Sequence, residues 1–241
     1  MKKSVFVFIA LISGFSGFAQ DKKNSSPSAI VNRAGDHIML QFGSDIWTGA
    51  PDSILNHKKG MSRSANVYVM TNKVFKSDRR FSAAFGIGVG TANMYFKKYK
   101  IDIISKTTTL PFISLDSADH FKKYKLTTAY VDVPVELRYT SRPDKESKSF
   151  KAAIGIKVGS LISAHTKGKL LQNKFDGTIN NYIEKQSDKQ FFNTTRLLAT
   201  GRVGYGNFSI FASYQVINSM LKDGVGPSIK PLQIGICLSG L

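Results

Sequence analysis

From residue 150 onward the chain alternates with a period of two. Phe150, Ala152, Ile154, Ile156 and Val158 fall on one side, and Lys151, Ala153, Gly155, Lys157 and Gly159 fall on the other. That is the signature of a strand with one greasy face and one small or charged face. The pattern returns at 81–91, where Phe81, Ala83, Phe85, Ile87 and Val89 oppose serine, alanine and three glycines. It returns again at 129–139, with Val131, Val133, Val135 and Leu137 opposing Asp132, Pro134, Glu136 and Arg138. Further strands are expected at 37–47, 65–75, 194–205, 208–216 and 231–241, which makes eight in all.

The connections between them alternate in length. Long ones are expected near 48–61, 99–123, 165–192 and 218–229, and short ones near 76–80, 141–148 and 206–207. An up-and-down sheet with tight turns at one end and large loops at the other has this rhythm, and strands of about 10 residues suit a tilted bilayer crossing. Alternation alone does not say which face meets water. The composition of the second face decides it: glycine, alanine and serine would solvate an exterior poorly but would line a narrow cylinder well. The expected fold is therefore all-β, an eight-stranded antiparallel up-and-down transmembrane β-barrel with short periplasmic turns and long extracellular loops.

In that orientation the interior receives Asp45, Asp132, Glu136, Arg138, Lys151, Lys157, Arg196 and Arg202. Isolated charges there would be costly, so they are expected to pair and plug the lumen. Pro134 has no N–H to give to a ladder, and a bulge is expected around it. Aromatics near the strand ends, including Trp47, Tyr95, Phe96, Tyr139, Phe191, Phe192, Tyr205 and Phe208, are expected to form interfacial girdles.

The first residues add an address. Lys2 and Lys3, an apolar run of about 14 residues and the small pair Gly17 and Ala19 match a secretory signal peptide. The expected organisation is a signal peptide at 1–19, a polar lead-in at 20–36 and a barrel domain at 37–241. No later apolar run is long enough for a membrane helix. The chain carries 34 Lys and Arg against 16 Asp and Glu, a formal charge of +18. Its lysines gather at 58–59, 97–100, 122–125 and 167–174, in or beside the expected loops. Such clusters suit the phosphates of lipopolysaccharide, whereas export and the lipid pattern argue against nucleic acid.

The segment at 130–140, Y-V-D-V-P-V-E-L-R-Y-T, resembles the PorT-like outer-membrane β-barrel family of Bacteroidota, and the glycine-dotted strands at 81–91 and 150–162 look similar to that family's. The resemblance extends over about 37–241. It implies residence in the outer membrane of a Gram-negative bacterium and, for PorT-like proteins, a link to secretion machinery. It assigns no functional residue.

Chemistry is sparse. One cysteine among 241 residues excludes a disulfide framework. There is no phosphate loop, no dinucleotide fingerprint and no H-E-x-x-H motif, and the glycines at 86–90 sit inside a strand pattern instead of opening a helix. His37, His57, His120 and His165 have no recognisable nucleophile beside them in sequence. The expectation is a non-enzymatic barrel without cofactor or metal, playing a structural or interaction role in the envelope, with lipid, lipopolysaccharide or secretion proteins as partners. Two alternatives are an accessory of a secretion machine and a soluble periplasmic barrel with a lipid inside.

Overall fold

The structure, a computed structural model, describes residues 38–240. The expected leader and lead-in lie outside the described residues. Eight long strands close into one antiparallel ring: β1 (Ile38–Thr48), β2 (Arg63–Val74), β3 (Phe81–Phe96), β6 (His120–Thr140), β7 (Phe150–Gln172), β9 (Thr195–Tyr205), β10 (Phe208–Ile217) and β11 (Lys230–Ser239). Each pairs with its neighbours in sequence, and β11 pairs with β1 to shut the ring. Short elements decorate the loops: helix α1 (Asp52–Leu55), a two-stranded ribbon of β4 (Tyr99–Ile101) and β5 (Phe112–Ser114), and β8 (Thr178–Ser187), which extends the sheet from the upper part of β7.

The register can be followed once around the ring. From Ser64 it passes through Gly43, Gly235, Phe211, Arg202, Ala153, Arg138 and Ser82, and returns to β2 at Val74, ten residues from its start. An offset of that size in eight strands corresponds to a tilt of roughly 40°. At one end the connections are tight. Between β9 and β10 only Gly206 and Asn207 intervene, and Gly206 takes a left-handed φ of 59°. A side chain there would be strained and would also meet the carbonyl oxygen of Ser147 at 2.6 Å. The other end carries the long connections.

Polarity changes sign along the strands. Over 129–140 of β6 and 150–162 of β7, Val133, Val135, Leu137, Ile154, Ile156 and Val158 point outward and are exposed, while Asp132, Glu136, Arg138 and Lys157 point inward and are buried. Those stretches form the lipid-facing belt. Above it, toward the long loops, the assignment inverts: Tyr124 and Leu126 of β6 are buried inside, and Lys123 and Lys125 lie outside. The switch occurs at a register shift between Ala129 and Tyr130. The reason is solvent: once a strand leaves hydrocarbon its outer face meets water, and its inner face buries apolar groups as in a soluble protein.

The long connections complete that inner core. Trp47, Ile54, Phe96, Tyr99, Ile101, Ile103, Leu110, Phe191, Phe192, Leu221 and Ile229 pack with Tyr124 and Leu126 into one buried cluster over the mouth of the ring. Three expectations are corrected here. Much of 99–123 and 165–192 is strand, because lysines hid the alternation of β6 and β7 beyond the belt. Trp47, Phe96, Phe191 and Phe192 are buried in the loop core and take no part in a girdle. Tyr205 and Phe208, together with Phe81, whose ring is tilted against that of Tyr139 at 5.3 Å between centroids, do surround the tight-turn end. No bulge forms at Pro134; the β3–β6 register stays constant while the ladder skips from the Phe85–Val135 pair to the Gly88–Asp132 pair.

The belt predicts unequal tolerance of charge. Ile156→Arg, at mid-belt, should destabilise the vesicle-inserted protein by about 2–4 kcal/mol, and Ser160→Arg, near its upper edge, by about 1 kcal/mol or less. Urea titration in phospholipid vesicles measures both, and equal effects would contradict the lipid-facing assignment.

Candidate functional site

The lumen is where the chain concentrates its buried charge. Alternation places every inward group on a strand whose next residue faces lipid, so the charged positions are fixed by register. Asp132 sits on β6 and Arg196 on β9, on the two sides of β7. Arg196 donates from Nη2 to both carboxylate oxygens of Asp132, at 3.0 and 2.8 Å, and from Nε at 3.2 Å. Its guanidinium also lies over the Tyr130 ring, 3.7 Å from the centroid, and the Tyr68 hydroxyl donates to Asp132 at 3.2 Å. Gly159, between the partners on β7, makes the room: a Cβ there would lie 2.2 Å from Asp132 Oδ1 and 2.9 Å from Arg196 Nε.

A second cluster centres on Glu136. Arg138 donates to Oε2 at 2.9 Å, and Arg202 reaches the same oxygen from Nε and Nη2 at 3.3 and 3.2 Å. Arg202 also donates to the Ser239 hydroxyl at 3.2 Å, tying β9 to the closing strand. Between the clusters stands Lys157, among the most deeply buried side chains described. It has no carboxylate partner among the described residues. Its ammonium donates to Gln41 Oε1 at 2.9 Å and lies over the rings of Tyr68 and Phe211, at 4.9 and 5.6 Å. From Gln41 an amide chain runs through Asn66 and Gln233 to Asp45, with contacts of 3.2, 2.8 and 3.2 Å.

Of the expected charges, Asp132 and Arg196 form one ionic cluster and Glu136, Arg138 and Arg202 another, with Lys157 between them. Lys151 is buried on the inner face at the tight-turn end. Asp45 stands beneath the loop core, bordering a cavity of about 20 Å³ that is also lined by Arg196 and Trp47. Sequence reasoning missed Gln41, Asn66, Tyr68 and Gln233, because only residues charged at neutral pH were sought. Their inward phase was visible, since Asn66 and Tyr68 alternate with Val67 and Val69. Cys237 is wholly buried beside Met39, Tyr68, Met70 and Phe211.

The loops bring some histidines to polar partners. His57 Nε2 lies 3.2 Å from Asp116 and 3.4 Å from the Ser114 hydroxyl, while its Nδ1 meets the Ser53 carbonyl at 2.8 Å. Ser114 donates to Asp116 at 2.7 Å, and together with His57 holds that carboxyl below the ordinary carboxylate range. Serine and carboxylate crowd the same ring nitrogen, whereas a nucleophile relay needs them on opposite nitrogens. His120 contacts Asp176 at 3.0 Å in the same structural manner. Among the described residues no group of His, Cys, Asp and Glu could hold a metal ion.

Closure, outward apolar faces and a charged interior describe a membrane barrel. Residues 18–216 match the outer membrane protein beta-barrel domain. The chain belongs to this family. Comparison with curated proteins finds no match. The family match ends within β10, and the barrel's closing strand β11 is supplied by the residues beyond it. The interior of this family member also rules against the soluble-barrel alternative, since its greasy face is outside and its lumen is occupied by side chains.

Glu136 yields a direct prediction. Glu136→Gln leaves two guanidiniums without the carboxylate they share and should cost about 3–5 kcal/mol in the detergent-folded barrel. Asp144→Asn, at an exposed pair with Arg79 of 3.6 Å, should change stability by less than about 1 kcal/mol. Denaturant midpoints compare the two, and an unchanged Glu136→Gln midpoint would remove the lower cluster as a stabilising element.

Proposed function

We propose that this outer-membrane barrel is a closed structural or interaction protein of the envelope, neither a general pore nor an enzyme. The observation that carries the proposal is that the lumen is filled at successive heights: the Glu136 cluster, the Lys157 layer, the Asp132–Arg196 pair and then the apolar loop core. Water and ions gain no wide path through such a stack. The 1–19 leader exports the chain, the tight turns face the periplasm as is usual for such barrels, and the long-loop end with its lysines faces outward. There it contacts an anionic envelope component, with lipopolysaccharide as the first candidate.

A second role is favoured by one feature. The segment that resembles PorT-like barrels forms the inner half of β6, contributing Asp132, Glu136 and Arg138 to both ionic clusters. An accessory role in a secretion machine follows from that likeness, and its signature is co-purification with secretion components. The primary proposal is tested in planar bilayers. The folded protein should add no regular conductance steps over baseline, and large stable steps would overturn the closed-barrel function.

A further inference from the structure

The outer face just above the lipid belt carries an arrangement that stability alone does not explain. The antiparallel register sets Tyr95 of β3, Lys125 of β6, Lys167 of β7 and Lys185 of β8 directly beside one another in a single row. One row higher, Lys123 opposes Lys169. Like charges directly opposite each other on a sheet face are destabilising. None of these five lysines pairs with a carboxylate among the described residues, although a single glutamate in the row would relieve the repulsion. Lys125 spends its ammonium on Asn93 Oδ1 at 2.6 Å, and Lys125 and Arg63 both lie near the face of the Tyr95 ring, at 6.0 and 5.8 Å. A shallow cavity of about 160 Å³ opens outward between Tyr95, Lys123, Lys125, Lys167 and Lys169.

Its height is informative. Lys125 lies four residues above Ala129, the upper edge of the belt on β6, a climb of roughly 10 Å along a tilted strand. That is headgroup level for a lipid packed against Val131 and Val133. The neighbouring cations agree: burial and Lys167 pull Lys125 below the ordinary lysine range, and burial together with Lys185, Lys125 and Lys167 lowers His165 beside them. The cluster is a set of charges awaiting a counter-charge.

We propose that the lysine rows of β6, β7 and β8 form a binding site for the phosphate groups of an outer-leaflet lipid, whose acyl chains lie along the belt beneath. This deepens the envelope-contact function and rests on its membrane orientation. The chemistry required is a phosphomonoester dianion on a lipid at the membrane surface, which lysines bind as point charges.

The test uses the full folded protein in detergent and in lipid nanodiscs. Probes are a diphosphorylated glucosamine-disaccharide lipid, the same lipid dephosphorylated, and inorganic phosphate. The lysine-to-glutamine variant at 123, 125, 167 and 169 is compared with a control changing Lys58, Lys59, Lys97 and Lys100. Wild type and control should retain the diphosphorylated lipid in native mass spectrometry, and the ladder variant should bind it at least about tenfold more weakly. The dephosphorylated lipid should bind all three poorly. Melting supplies a readout of opposite sign: Lys167→Gln should raise the melting temperature in neutral detergent, by relieving repulsion, and lower it relative to wild type in the phosphorylated lipid. Equal binding of the dephosphorylated lipid, unchanged retention by the ladder variant, or full competition by millimolar inorganic phosphate would each overturn the site. Heat-modifiable gel mobility of the same samples separates the causes. An inserted, folded barrel that ignores phosphate sinks the site alone, and failure to insert sinks the underlying function with it.

Discussion

Hydrocarbon offers no hydrogen bonds to a peptide backbone, so a strand that crosses it must find a partner along both edges. In this chain that requirement is met by the pairing of β1 with β11, and much else follows from it. Closing eight strands with a ten-residue offset creates a lumen narrow enough for side chains to fill. The filling cannot be apolar throughout, because alternation has already committed much of the aliphatic side chain to the outer face. Charged and amide groups take the inner positions, and each must then find its complement inside. Asp132 with Arg196, Glu136 with Arg138 and Arg202, and Lys157 with Gln41 are the consequence of closure.

Solvent sets the other boundary. Within the belt the strands are inverted proteins, oily outside and ionic inside. Beyond Ala129 the same strands revert to the ordinary arrangement, with Tyr124 and Leu126 buried beneath the loop core and lysines facing out. One continuous strand, β6, thus changes its environment without changing its backbone, and the register shift between Ala129 and Tyr130 marks the place. The ionic plug and the apolar plug are stacked because the membrane surface falls between them.

The eight membrane strands were legible because their alternation is set by lipid on one side and a tight lumen on the other; the expected spans of β9 and β10 differ from the structure by one residue at one end. The upper halves of β6 and β7 were not legible. There Lys122 and Lys123 stand side by side and Leu170 adopts a left-handed φ of 63°, which breaks any clean period. The loop core was hidden for a different reason: Trp47, Phe96 and Phe192 read equally well as interfacial anchors or as core, and only the tertiary fold of the connections decides. Charged lumen residues could be named from phase alone, but their partners could not. Phase gives the side of the sheet, whereas pairing Asp132 with Arg196 across Gly159 depends on strand order and stagger.

The central claim, that the apolar residues meet lipid around a packed polar lumen, is tested most directly by a spin-label scan along β10. Single cysteines from Ile210 to Val216, in a Cys237→Ala background, would be inserted into bilayers and probed with lipid-soluble oxygen. Accessibility should peak at Ile210, Ala212, Tyr214 and Val216 and fall at Phe211, Ser213 and Gln215, following the exposure of those residues. A flat profile, or one with its maxima at Phe211, Ser213 and Gln215, would contradict the account.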